Sequence, residues 1–278
     1  MKQTVLLYGN CQGAWLSKTL NRDPRVQSEF DMVFLPSYGE IPADHPIHRP
    51  NFLSTCSWFL FQVSSDTKLP ACYRSLPKTC RKIGFPLLSM KLFWPLHTLD
   101  PRNNPEPSYP LGRYPYGDRL VLRLLEQGTA PRDVATRYCE TNLRQFIDLD
   151  RYAEICFAEL QLIDRKADIA LAPVIERGFR TNRFFGTINH PSVELLTELT
   201  AGLLSALLDV TPLTVTSRSD GYRFDIGDLE IPLHPQIIQH FGLTWATPEI
   251  RYRYLLESLT TAEYLHAYAS FRPVLSPY

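Results

Sequence analysis

The sequence predicts an α/β protein: a helix-rich single domain with a small, mainly parallel sheet and a C-terminal hairpin. Three stretches carry that prediction. TVLLYGNCQGAWLSKTL, residues 4–20, passes from an apolar run through a glycine turn straight into an amphipathic segment, as strand, turn and helix do. A second apolar run, FLSTCSWFLFQV at 52–63, reads as another buried strand, entered from a helix or loop and ending near Gln62. From about 118 to 210 the apolar residues recur at helical spacing instead.

Taken in order, residues 4–8 form the first strand and 14–20 the helix after it. Between 84 and 117, Pro86, Pro95, Pro101, Pro105, Pro107, Pro110 and Pro115 exclude regular structure and predict a long ordered loop bearing tyrosine and tryptophan. DRLVLRLLEQG then reads as a helix closed by Gly128, and PRDVATRYCETNLRQF opens with proline and an early acid, as helices do. DRYAEICFAELQLIDRKADIALAPVIERG continues as helix, with a bend near Pro173. Asn189-His190-Pro191-Ser192 opens VELLTELTAGLLSALL, where Val193, Leu196, Leu199, Leu203 and Leu207 make one stripe. After Pro212, LTVTSRSDGYRFDI reads as a hairpin turning at Asp220-Gly221. The final stretch, RYRYLLESLTTAEYLHAYASF, reads as helix broken around Thr260.

At 278 residues and 44% hydrophobic, the chain has the means to bury a large core. It shows no repeat, linker or low-complexity tract, so residues 1–278 are expected to form one domain. Its 29 basic and 29 acidic side chains cancel, which argues against a nucleic-acid partner. No run approaches the ~18 apolar residues of a membrane span, and the N-terminal run lacks the features of a signal peptide. Cys11, Cys56, Cys72, Cys80, Cys139 and Cys156 show neither a CxxC pair nor zinc-finger spacing. Reduced thiols, no metal and a cytoplasmic location are the expectation.

Chemistry concentrates at Gly9-Asn10-Cys11-Gln12-Gly13. The pattern matches a G-x-S-x-G nucleophile elbow with sulfur in place of oxygen. Such a turn needs neighbours without bulk, and it sets the nucleophile at a helix N-terminus, where unpaired N–H groups favour anions. There a thiolate is expected to be favoured over a thiol. The same N–H groups suit the oxyanion of an acyl-transfer step, helped by the side-chain amides of Asn10 and Gln12. A small buried cysteine in an ordinary glycine turn fits the same letters. Because the turn follows the first strand, its layout is SGNH-like and not that of an α/β-hydrolase.

A cysteine nucleophile wants an imidazole as base. His190 is the first choice: Pro191 would start a helix and leave His190 at its cap, with the ring projecting. His234, in a second His-Pro pair, is the reserve. His45 and His48 read as surface residues, while His97, His240 and His266 read as packed or solvated. For the acid, Asp118 follows the aromatic loop and precedes a helix, so it suits either a triad or a plain N-cap; Asp66 is the other option.

These pieces together resemble the WcbI-type family of capsular-polysaccharide acetyltransferases. The matching segments are YGNCQG at 8–13, WFLFQ at 58–62, FWP at 93–95, PYGD at 115–118, NHPS at 189–192, and PLHP followed by FGL within 232–243. The resemblance implies a helix-rich fold with a small sheet, binding of coenzyme A, and transfer of an acetyl group to a sugar hydroxyl. By motif match it implies Cys11 as nucleophile, His190 as base, and Gln12 and Gln62 as polar site residues beside Gly13. Near the aromatic loop, Lys91, Arg102, Arg113 and Arg119 are candidate phosphate partners for the acetyl-coenzyme A donor. Two other readings compete with transfer to a sugar or polysaccharide precursor. One is a cysteine esterase or thioesterase; the other is a non-catalytic protein that binds glycans or nucleotide sugars through the aromatic loop.

Overall fold

A computed structural model of the chain describes residues 2–210 and 229–272. Its first half runs β1 (Gln3–Gly9), α1 (Cys11–Leu20), α2 (Pro24–Glu29), β2 (Phe30–Pro36), β3 (Cys56–Val63), β4 (Arg81–Pro86), β5 (His97–Thr98), β6 (Gly117–Asp118), α3 (Arg119–Glu126) and α4 (Pro131–Glu140). There follow α5 (Leu149–Asp164), α6 (Ala172–Gly178), β7 (Phe185–Thr187), β8 (His190–Pro191), α7 (Val193–Leu208), α8 (Pro235–Phe241), β9 (Tyr252–Tyr254), β10 (Glu257–Leu259) and α9 (Thr261–Ser270). The chain gathers into two compact units: Met1–Ser89 with Phe157–Arg177 and His190–Ile226, and Met90–Cys156 with Gly178–Asn189 and Gly227–Tyr278.

The first unit is built on a four-stranded sheet of order β2-β1-β3-β4, parallel throughout. Parallel strands covered on both faces must be apolar almost without alternation, and Val5-Leu6-Leu7 and Phe59-Leu60 are fully buried. Helix α1 packs against β1, β2 and α7. On the Leu6, Leu35 and Phe59 side the cover is loop and short 3-10 turns instead, including Ile47, Phe52, Leu53, Tyr73 and Leu76. From β1 the chain moves to β2 on one side and later to β3 on the other. The carboxyl ends of β1 and β3 therefore flank a topological switch point, where open α/β sheets bind their ligands.

The second unit is organised by aromatic side chains. Tyr114 stacks on Tyr254 with ring centroids 4.9 Å apart and meets Tyr268 at 4.9 Å and Phe271 at 5.1 Å. Arg102 lies over Tyr268 and forms a bidentate pair with Asp100, which is 6% exposed. The proline-rich loop is thus ordered by stacking and ion pairing around the two-residue strands β5 and β6.

Several elements differ from expectation, each for a local reason. Strands β2 and β4 were not anticipated, since FDMVFLP and RKIGFP are short and interrupted by charge, proline or glycine. The long helix does not bend at Pro173. It ends at Asp164, and Pro173 lies in the first turn of α6, where a missing N–H is harmless. Residues 252–259 form the β9–β10 hairpin and not a helix. Tyr252 and Tyr254 are buried while Arg253 between them is half-buried, a period of two. Thr260 then caps α9 with a capping box through Glu263, at the expected break. The hairpin expected at 213–226 lies outside the described residues. No helix among the described residues is long and apolar enough to cross a membrane.

Candidate functional site

The turn after β1 is held by a chain of amides. Asn10 has extended backbone angles and caps α1, its Oδ1 accepting the Gln12 N–H at 2.9 Å. The Asn10 N–H donates to Gln62 Oε1 at 3.0 Å, and Gln62 Nε2 donates to Gln12 Oε1 at 3.2 Å. Gln12 is 0% exposed. Its Nε2 donates to the Leu88 carbonyl at 2.8 Å, and its Oε1 accepts the Leu88 N–H at 3.1 Å. A buried primary amide satisfied at both ends fixes geometry strongly, because each lost bond would leave a polar group buried without a partner. Gln12 and Gln62 thereby lock the ends of β1 and β3 and the start of α1 to the segment after β4. Gln12 is a brace for the turn, and its amide does not face outward toward a developing charge.

The glycines serve by their lack of volume. A Cβ on Gly13 would come within 3.3 Å of both Leu7 Cδ2 and Phe34 Cε2, and one on Gly9 would stand 3.3 Å from the Gly13 Cα. Strand and helix approach closely enough here that even a methyl group would require its neighbours to give by a few tenths of an ångström.

Cys11 is the first residue of α1, half-buried, and its thiol is free. Burial pushes the Cys11 pKa above the ordinary value and outweighs the downward pull of the nearby backbone N–H groups of Gln12 and of Cys11 itself, the first of which is engaged by Asn10. The resting sulfur is therefore the protonated thiol at neutral pH, which corrects the expectation of a favoured thiolate. Ionisation at Cys11 needs a base.

His190 lies in the same unit, in β8, ahead of α7. It is not the helix cap: Ser192 takes that place, its Oγ accepting the Leu195 N–H at 3.3 Å. Burial lowers the His190 pKa to about 4, so the ring is neutral at pH 7 and able to accept a proton. The capping role expected of His190 falls to His234, in the other His-Pro pair. His234 Nδ1 accepts the Gln236 N–H at 3.1 Å and Nε2 donates to the Tyr138 carbonyl at 2.8 Å. Both ring nitrogens are thus bound into structure.

Asp118 belongs to the second unit and caps α3. Its Oδ1 accepts from Leu120 and Val121 N–H at 2.7 and 3.1 Å, and its Oδ2 accepts from the Tyr138 hydroxyl at 2.9 Å. Burial raises its pKa to about 6, against the downward pull of those donors. The plain capping alternative is the one its bonds express. Asp66 is exposed and accepts from Ser64 Oγ at 3.2 Å.

Of the basic candidates, Arg113 makes a bidentate pair with Glu106, its Nη2 2.8 Å from Oε2, which occupies the guanidinium fork. Lys91 is exposed; burial lowers the pKa of His97, and the charges of Arg119 and Lys91 add to that effect. Arg119 borders a cavity of about 760 Å3 in the second unit. Arg123, one turn further along α3, shares that cavity and lies over the Phe146 ring at 5.5 Å. Two cations beside an exposed aromatic suit a phosphorylated ligand with a flat ring. Arg123, Phe146 and the bracing backbone of Leu88 were missed from sequence; the i, i+4 arginines of α3 were the available signal. Among the described residues, no group of three or more His, Cys, Asp or Glu is placed to hold a metal.

A search of the curated proteins finds no match. Among solved structures, WcbI, described as a novel polysaccharide biosynthesis enzyme, matches with a TM-score of 0.72 at 20% identity, covering 96% of this chain and 88% of that one. That structure is described as the native protein without a disulfide bond between coenzyme A and one of its cysteines. The family profile described as polysaccharide biosynthesis enzyme WcbI matches residues 4–212, three quarters of the chain. With GNCQG at the sheet's switch point and the profile spanning most of its length, this chain belongs to the WcbI family of polysaccharide biosynthesis enzymes.

Proposed function

We propose that this enzyme is an O-acetyltransferase that moves an acetyl group from acetyl-coenzyme A to a sugar hydroxyl, with Cys11 as nucleophile and His190 as base. The observation that carries the reading is the placing of the Cys11 thiol at the first residue of α1, directly after β1 at the sheet's switch point. The family's role supplies the sugar, and the naming of coenzyme A with the solved WcbI supports it as the source of the acyl donor.

His190 takes the Cys11 proton as the sulfur attacks the thioester carbonyl. The N–H groups at the start of α1 hold the oxyanion. A carbon–sulfur bond to Cys11 forms, the bond to coenzyme A breaks, and the proton passes from His190 to the departing thiolate. His190 then removes the proton of the sugar hydroxyl, whose oxygen attacks the acetyl-cysteine. The carbon–sulfur bond breaks and Cys11 regains a proton. Exchange between thioesters is nearly isoenergetic, which suits a cysteine to this donor. A protonated resting thiol and a neutral imidazole are the starting states that such general-base catalysis uses. We place the reaction in the cytoplasm, where thiols stay reduced, and leave Asp118 out of the proton relay.

Incubation with isotopically labelled acetyl-coenzyme A, followed by intact-protein mass spectrometry, tests this reading. The wild type is expected to gain one acetyl group, His190→Ala to hold it longer once formed, and Cys11→Ala to gain none. Equal labelling of Cys11→Ala, or none on the wild type with no release of coenzyme A, overturns it.

A further inference from the structure

At the carboxyl edge of the sheet, β1 and β2 stay in parallel register up to Gly9 opposite Pro36. Two residues beyond each member of that pair stand Cys11 and Tyr38. The Ser37 N–H donates to the Gly9 carbonyl at 2.9 Å, so the backbone before Tyr38 is tied to the turn before Cys11. Tyr38 is nonetheless 59% exposed. The next residue, Gly39, takes the left-handed φ of 73° with open space around it. The phenol is also near enough to Cys11 that the sulfur's charge, after burial, helps raise its pKa.

We propose that Tyr38 is the acceptor platform of this site, its exposed ring stacking on a pyranose so that a hydroxyl faces Cys11. The inference rests on the acyl-transfer reading and adds where the sugar lies. The chemistry is specific: one face of a pyranose presents C–H groups of partial positive charge, and an aromatic face carries the negative part of the ring quadrupole. A phenyl ring serves that purpose as well as a phenol, whereas a methyl group does not.

The test is saturation-transfer NMR with the methyl glycosides of glucose, galactose and mannose on the wild type, Tyr38→Phe and Tyr38→Ala. The ring C–H protons of at least one glycoside should receive saturation from the wild type and from Tyr38→Phe. In Tyr38→Ala the affinity should fall about tenfold. Because the side chain is exposed, all three proteins are expected to melt at the same temperature, which separates loss of binding from loss of folding. No saturation of any glycoside on the wild type, or equal affinity in Tyr38→Ala, overturns the inference. Glycoside binding that depends on Tyr38 in a protein that never acetylates Cys11 keeps the platform and discards the acyl transfer.

Discussion

The helix starts at α1 and α3 are chemical neighbours and functional opposites. Each follows a strand, and each is capped by a side chain that accepts backbone N–H groups: Asn10 at α1 and Asp118 at α3. At α1 the cap is neutral, the network that steadies it consists of amides, and the reactive atom belongs to the next residue, Cys11. At α3 the cap is itself the candidate group, and its oxygens are taken by two N–H groups and the Tyr138 phenol. A strand–helix junction offers a site when the residues that hold the turn and the residue that reacts are different ones. Where one side chain does both, it is a cap.

The largest break in this comparison should come from Gln12→Leu. It strands the Leu88 N–H and carbonyl and the Gln62 amide, and denaturant unfolding should show a loss of about 4 kcal/mol. The two regions should next separate by pH. Asp118, raised to about 6 from its ordinary 3.8, holds its proton more tightly when folded. Its contribution is present below pH 3.8 and is lost as pH rises through 6, by up to about 3 kcal/mol. His190, lowered to about 4 from its ordinary 6.5, has the opposite sign. Its contribution is full above pH 6.5 and is lost as pH falls toward 4. In unfolding titrations Asp118→Asn should remove the first dependence and His190→Gln the second; an unchanged profile in either breaks the assignment.

Smaller effects sharpen the view of the turn. Gly13→Val should cost about 2 kcal/mol by overpacking against Leu7 and Phe34. Gly13→Ala should stay within about 1 kcal/mol, because its 3.3 Å contacts are offset by alanine's helix propensity. The smallest is kinetic. With burial outweighing the N–H donors, Cys11 should alkylate with iodoacetamide no faster than free cysteine at pH 7, its rate climbing only in alkaline solution. Rapid alkylation at pH 7 would show the N–H donors to prevail.

Much of the first unit was legible in the letters. Val5-Leu6-Leu7 and Phe59-Leu60 sit in short apolar runs, the first closed by a glycine turn and the second rich in aromatics, which favours buried strands over helix, and all five are fully buried. The stripe from Val193 to Leu207 is buried as the helical spacing requires. Tyr252-Arg253-Tyr254 alternated in the sequence as well, but the helical signal of the residues after Thr260 hid a three-residue strand. The two His-Pro pairs are indistinguishable locally. Only their surroundings make His234 a fully bonded cap and His190 a half-buried neutral ring in a strand.

By itself, the sequence determined the strand–turn–helix around Cys11, because glycine size, amide capping and apolar runs act over a few residues. Tertiary structure decided which polar groups remain available for chemistry. The grip of the Leu88 backbone on Gln12 comes from a segment 76 residues away, and the burial that keeps Cys11 protonated comes from packing and not from its neighbours in the chain. Hydrogen-bond satisfaction and desolvation are set by whatever packs against a group, and residue spacing along the chain does not encode that.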